Sequence, residues 1–301
     1  MQQVLTLCAA PGALTADTLG TALRLLQEAG ATAGDPSWLA PGEAADIPFD
    51  APHPAQVLTR LRDGLADHPV DVNGGPAKGR RKRLLIADMD STIIVGESLD
   101  ELAEYAGIRD QIAAITARAM RGELDFEGAL RERVGMLKGL PASTIDTVVD
   151  GLQLTPGADV LVATMKAAGA YCALVSGGFK PMTGAIRLRI GFDEDRSNTL
   201  HVADGVLAGT VGEPILGRDA KLAALKELCA AQDLPLEAAL AVGDGANDLA
   251  MLGAAGMGVA FQAKPAVRDA AGFRIEHADL RGLLYLQGYK AEDFAVPPAA
   301  A

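Results

Sequence analysis

Leu84-Leu85-Ile86-Ala87-Asp88-Met89-Asp90-Ser91-Thr92 is the stretch that decides the fold. Four apolar residues in succession read as a short strand buried on both faces, and two acids stand where that strand should end. Two further runs share the pattern: Tyr171 to Val175 leads into Ser176-Gly177-Gly178, and Ala239 to Val242 leads into Gly243-Asp244-Gly245. Helix-forming segments separate the runs, so an α/β fold with a parallel sheet is expected. Open parallel sheets bind ligands at the carboxyl ends of their strands, which would bring all three segments to one crevice.

The rest of the chain is organised around this core. Between Thr92 and Pro156 lies an insertion rich in helix formers, with Ile108, Ile112, Ile115 and Met120 spaced as on one helix face; a helical cap over about 97–150 is expected. Residues 1–73 alternate differently. An apolar run at Val4 to Cys8, helical spacing through Leu19, Leu23 and Leu26, extended stretches near Trp38 and Ile47, a helix carrying Val57 and Leu61, and a run at Val70 to Val72 give the order β-α-β-β-α-β. That order resembles a small ferredoxin-like, ACT-type α+β domain. Asn73-Gly74-Gly75-Pro76 reads as a breaker and Arg80-Arg81-Lys82-Arg83 as a solvated run, so 74–83 is expected to be a linker, 84–291 the second domain, and 292–301 a disordered tail.

Composition narrows the function. The 301 residues carry a net charge of −12, which disfavours nucleic acid and anionic lipid, both bound chiefly through Lys and Arg. Hydrophobic residues are scattered among charges and nowhere form a membrane-length run, so no membrane partner is expected. The opening Met1-Gln2-Gln3-Val4 lacks a basic secretory segment, and Cys8, Cys172 and Cys229 are odd in number and far apart, which fits a cytoplasmic protein. His53, His68, His201 and His277 are isolated, without zinc-like spacing.

Asp88 and Asp90 flank one residue, so one carboxyl group can attack while the other moves a proton. Carboxylates gathered at one crevice would repel an anionic ligand by about 4 kcal/mol per unit-charge pair at about 4 Å and an effective dielectric near 20. Cations must reverse that repulsion. Oxygen ligands select a hard ion such as Mg²⁺.

The Asp88-x-Asp90-x-Thr92 string resembles the opening motif of the haloacid-dehalogenase superfamily, and the other motifs follow in order: Ser176-Gly177-Gly178, Lys221, and Gly243-Asp244-Gly245-Ala246-Asn247-Asp248. The resemblance implies a Rossmann-like core in which Asp88 is the nucleophile and Asp90 the acid and base. It also implies Mg²⁺ held by Asp88, Asp244 and the backbone carbonyl of Asp90, phosphate held by Ser176, Gly177, Lys221 and Asn247, and support from Thr92 and Asp248. Residues 84–290 resemble the phosphoserine phosphatases more narrowly. On that likeness Glu97 meets the substrate ammonium, Arg133 clamps its carboxylate, Met120 and Phe126 line an apolar pocket, and Asn198-Thr199-Leu200 with Asp204-Gly205 form a hairpin excursion. A zwitterionic phosphate ester needs such a pair of opposite charges.

Rival readings are a phosphatase for another small ester, a phosphotransferase passing phosphate to an alcohol such as homoserine, and an amino-acid sensor without activity. Asp90 argues against a dehalogenase, since a halide leaving group needs no acid. Asp248 stands where a dinucleotide fingerprint wants Gly or Ala. Whether the first domain regulates, stabilises or mediates a homodimer is left open by its residues.

Overall fold

The computed structural model describes residues 2–297 apart from Gly122, and of Met120 the backbone alone. The chain begins with β1 (Gln3–Cys8), α1 (Ala16–Glu28), β2 (Thr32–Ala33), β3 (Ser37–Ala40), β4 (Ala44–Asp50), α2 (Pro54–Gly64) and β5 (Asp71–Pro76). Helix α1 starts where the Thr15 hydroxyl accepts the Thr18 N–H, and it buries Leu19, Ala22 and Leu26. It stops at Gly30, whose φ of +76° is cheap only without a side chain.

The sheet of this domain is antiparallel, in the order β2-β4-β1-β5. Both β2 and β3 lie along β4, pairing Thr32 with Asp50 and Ser37 with Asp46, so they are one interrupted strand. This gives the antiparallel α+β arrangement expected of an ACT-like domain.

The second part runs β6 (Leu84–Ala87), α3 (Ser98–Tyr105), α4 (Arg109–Met120), α5 (Phe126–Met136), α6 (Ser143–Gly151), α7 (Ala158–Ala167), β7 (Tyr171–Phe179), α8 (Lys180–Ile190) and β8 (Glu194–Asn198). A hairpin follows, β9 (Leu200–Ala203) with β10 (Val206–Val211). The chain closes with α9 (Arg218–Ala231), β11 (Ala239–Gly243), α10 (Leu249–Ala254), β12 (Met257–Phe261), α11 (Pro265–Ala270), β13 (Phe273–Ile275) and α12 (Gly282–Leu286).

Six strands form a parallel sheet in the order β13-β12-β11-β6-β7-β8. The unbroken apolar run of β6 has a simple cause. Leu84 and Ile86 enter the core on one face of the sheet while Leu85 and Ala87 enter the core on the other, so no position of the strand meets water. The three strands singled out in the sequence are the neighbours β11, β6 and β7. Helices α3 to α6 form the insertion between β6 and β7. No helix among the described residues is long and apolar enough to cross a membrane.

Three expectations change. Asn73-Gly74-Gly75-Pro76 does not break the chain: β5 runs through Pro76, which pairs with Gln3. The basic run is not simply solvated, because the Arg80 side chain is only 14% exposed and pairs with Asp46 at 2.6 Å, while Lys82 donates to the carbonyls of Gly79 and Glu237. The tail is anchored where it begins. The Phe294 ring lies 5.3 Å from that of Tyr285, and the Ala295 N–H donates to Thr164 at 3.0 Å. Residues 298–301 fall outside the described residues.

Candidate active site

Strand β6 ends at Ala87, and Asp88 begins a tight turn through Ile93. The Asp88 N–H still continues the sheet, donating to Val242 of β11 at 3.0 Å. Its carboxylate accepts the Met89 N–H at 2.8 Å and meets the Lys221 ammonium at 2.6 Å. Asp88 is thus buried and fixed through both oxygens.

Lys221 stands in the first turns of α9 but is only 1% exposed, far from the surface position such a lysine usually takes. Its ammonium also pairs with Asp248 at 2.6 Å. Burial would lower the pKa of Lys221, yet the charges of Asp88 and Asp248 outweigh it and raise the pKa above the ordinary value.

Asp248 in turn accepts the Gly245 N–H at 3.0 Å, and a Cβ on Gly243 would collide with its carboxylate, so glycine is required there. Asn247 is half-buried in the same turn, its side-chain oxygen crowding Gly245.

Asp88, Asp244 and Asp248 are all buried, with carboxylate oxygens within 4.8 Å of one another. Burial pushes the Asp244 pKa up to about 6, and the Asp88 charge adds to the effect. Among the described residues the ammonium in contact with these acids is that of Lys221, which touches Asp88 and Asp248, while the Lys264 charge acts on Asp244 from farther away. Three oxygen-donor groups whose negative charge is only partly offset suit a hard divalent cation. Asp248, expected to support the site, therefore stands in the same group as the expected ligands Asp88 and Asp244.

The Asp90 carboxylate is elsewhere: it accepts the Ser98 N–H at 2.7 Å and the Ser176 hydroxyl at 3.2 Å. Burial, then the nearby Glu97 charge, pushes its pKa up to about 7. Ser176 ends the fully buried run of β7 and itself accepts the Gly178 N–H at 2.9 Å. Gly178 is required by space, because a Cβ would sit 2.9 Å from Asp90 and 3.1 Å from the Ser176 hydroxyl. Thr92 is fully buried, and its hydroxyl has no hydrogen-bond partner among the described residues.

Glu97 precedes α3 and accepts a hydrogen bond from Ser91 at 2.8 Å; burial raises its pKa. Arg133, half-buried on α5, donates to its own helix at Ala129. Burial lowers its pKa, opposed by the charges of Asp100, Glu97 and Asp90. The Phe126 ring covers Gly177 and Gly217, 3.1 and 3.3 Å from where their Cβ atoms would be. The side chain of Met120 lies outside the described residues.

Several residues to which the sequence assigned no role in the site hold these groups in place. Ser91 holds Glu97, and the Ser98 N–H holds Asp90. Asn198, 3% exposed, donates to the Gly177 carbonyl at 2.8 Å and accepts the Leu216 N–H at 2.7 Å, tying the β7 turn to the segment before α9. Lys264 donates its backbone N–H to the Asp244 carbonyl at 3.2 Å. Ser91 and Ser98 lie close to the Asp88 motif and could have been suspected; Asn198 was marked by resemblance only as the start of a hairpin excursion, and nothing in sequence pattern marks Lys264.

The chain matches the family description "haloacid dehalogenase-like hydrolase" over residues 85–253. It is 46% identical over 209 residues to the phosphoserine phosphatase SerB2 of Mycobacterium tuberculosis, covering 69% of this chain and 51% of that one. It is 45% identical over 199 residues to a phosphoserine phosphatase of Streptococcus thermophilus, covering 66% of this chain and 93% of that one. The chain thus spans about half the length of the first relative and nearly all of the second. Among solved structures, a HAD family hydrolase from Salmonella enterica superposes with a TM-score of 0.84 at 31% identity, over 96% of this chain and 99% of that one.

Proposed function

The chain belongs to the phosphoserine phosphatase family of haloacid dehalogenase-like hydrolases, and from that premise we propose that it hydrolyses O-phospho-L-serine to L-serine and phosphate through an aspartyl-phosphate on Asp88. The observation that carries the reading is the division of labour between two acids two residues apart. Asp88 is pinned by Lys221 and the Met89 N–H, while Asp90 has a pKa near 7, suited to giving and taking a proton at neutral pH.

In the first displacement a carboxylate oxygen of Asp88 attacks phosphorus and the bond to the seryl oxygen breaks. The departing alkoxide takes the proton carried by Asp90. In the second, Asp90 takes a proton from water as the water oxygen attacks phosphorus, and the Asp88 carboxylate is released with inorganic phosphate. Lys221, the Ser176 hydroxyl and the backbone N–H groups of the β7 turn would hold the phosphoryl oxygens, with Asn247. Mg²⁺, bound by Asp88, Asp244 and the backbone carbonyl of Asp90 with Asp248 beside them, would supply positive charge against the substrate phosphate. Glu97 would take the ammonium and Arg133 the carboxylate, with Phe126 forming the apolar wall.

Phosphate release from phosphoserine, phosphothreonine, phosphohomoserine and sugar phosphates, with and without Mg²⁺, tests the proposal. Phosphoserine should lead, chelation should abolish turnover, and Asp88→Asn should be inactive yet folded. Arg133→Ala should raise KM for phosphoserine about tenfold or more and leave an ester without a carboxylate unaffected. A sugar phosphate turned over faster than phosphoserine, or equal effects of Arg133→Ala on both ester types, would defeat the substrate assignment. Less free phosphate per serine released when homoserine is added would indicate a phosphotransferase.

A further inference from the structure

The N-terminal domain reaches the main chain of residues 274–286 through polar side chains that are themselves largely buried. Asp71, 3% exposed at the start of β5, accepts N–H groups from Glu276 at 2.7 Å, His277 at 3.2 Å and Ala278 at 2.9 Å. Asn73, fully buried, donates its side-chain amide to the Arg274 carbonyl at 2.8 Å and accepts the Arg274 N–H at 2.9 Å. Its amide thus gives β13, the edge of the six-stranded sheet, the two hydrogen bonds that a further strand would give. Arg80 donates to the carbonyls of Leu286 at 3.0 Å and Tyr285 at 3.1 Å while it grips Asp46 and Thr6. Glu43 accepts from the Tyr285 hydroxyl at 3.2 Å and pairs with Arg281 at 3.3 Å. Buried polar groups matched this completely on both sides favour a single arrangement, since any displacement would leave several of them unpaired.

The segment so held leads to the crevice. Ile275 accepts the Gln262 N–H at 2.7 Å, and two residues later the Lys264 N–H meets the Asp244 carbonyl. His277, Ala278 and Asp279 also line a cleft of about 380 Å³ together with Ser91, Val95 and Gly96 of the loop that leads to Glu97. Ala10 and Pro11 of the N-terminal domain line the same cleft.

We propose that the N-terminal domain is a fixed part of the catalytic frame rather than a tethered module. Asp71 and Asn73 are positioning residues: they hold 274–278, and through Ile275 the Gln262–Lys264 loop that abuts Asp244. The domain's place in the protein is then mechanical whatever else it binds.

The single tryptophan, Trp38, lies on β3 of the N-terminal sheet, so its fluorescence reports that domain, while far-ultraviolet circular dichroism is dominated by α3 to α12 of the other. In a urea titration of the intact chain the two signals should change together. A Trp38 transition complete before the dichroism moves would overturn the proposal.

In Asp71→Asn, amide exchange should quicken about tenfold or more at 276–278 and also at 262–264, as the held segment loosens. The Mg²⁺ concentration for half-maximal activity should rise several-fold, with kcat at saturating Mg²⁺ within about twofold of wild type. That last readout rests on the phosphatase reading; unfolding and exchange do not, so failure of one is distinguishable from failure of the other. Faster exchange confined to 276–278, with 262–264 and the Mg²⁺ requirement unchanged, would reduce Asp71 to a structural contact and sink the positioning role.

Discussion

Stability measured against pH, with and without divalent cation, probes the charge balance of the crevice directly. Burial and the Asp88 charge push the Asp244 pKa up to about 6, and burial with the Glu97 charge pushes that of Asp90 up to about 7. In the unfolded chain both would titrate near 4. Between about pH 4 and the folded values, the cation-free native protein therefore holds protons that the unfolded chain has already released. Stability must then fall as pH rises through that window.

A shift of two to three pH units corresponds to roughly 3–4 kcal/mol per group, so the cation-free protein should be several kcal/mol weaker at about pH 8 than at about pH 4.5. Asp71 and Glu97, whose pKa values burial also raises, act in the same direction. Mg²⁺ should reverse the trend, because its ligands must be ionised and its charge offsets Asp88, Asp244 and Asp248. Urea denaturation at about pH 5 and about pH 8, in chelator or in Mg²⁺, measures both effects. The gain from Mg²⁺ should be larger at the higher pH, and Asp244→Asn should shrink both the gain and the cation-free slope. Cation-free stability that climbs from pH 5 to 8, or a Mg²⁺ gain independent of pH, would show that these acids are not crowded as described.

Three substitutions extend the test. Asp90→Asn keeps the shape of the side chain but removes its proton chemistry, so an aryl phosphate, whose leaving group needs little protonation, should still give a burst of phenol while steady turnover falls at least about 100-fold. Gly178→Ala would set a Cβ 2.9 Å from the Asp90 carboxylate; kcat should drop about 10- to 100-fold while chemical denaturation shows a loss of no more than about 2 kcal/mol. Arg80→Met leaves Asp46 buried without its cation and should cost about 3–5 kcal/mol by the same measurement, far more than removing the exposed Arg24–Glu28 pair, worth about 0.5 kcal/mol or less.

What the sequence disclosed and what it hid follow from the range over which each residue's partners lie. β6, β7 and β11 were legible because a strand buried on both faces must be apolar throughout, a local requirement written in consecutive residues. The Asp88 turn was legible because its acids are adjacent in sequence as well as in space. Arg80 and Asn73 were misread for the opposite reason. Their identity as a cation and a breaker-associated amide suggests solvent, and the carbonyls and amides that bury them lie about 200 residues away, at Arg274 and Leu286. Lys221 was placed in the site by resemblance, since a lysine in an early helical turn carries no local sign that Asp88 and Asp248 will enclose it.

Asn198 is the hardest case, for resemblance marked it only as the start of a hairpin excursion. Its value lies in joining Gly177 to Leu216, two backbone positions that any sequence would supply, so only the fold reveals what its amide does there. Polar residues that bond main chain across long separations leave no periodicity behind. These residues act together with the apolar core, which Cys8, Leu39, Ala40 and Ala44 share with Leu283 and Tyr285, to set where the two domains meet, and Asn198 sets where the β7 turn faces Asp90.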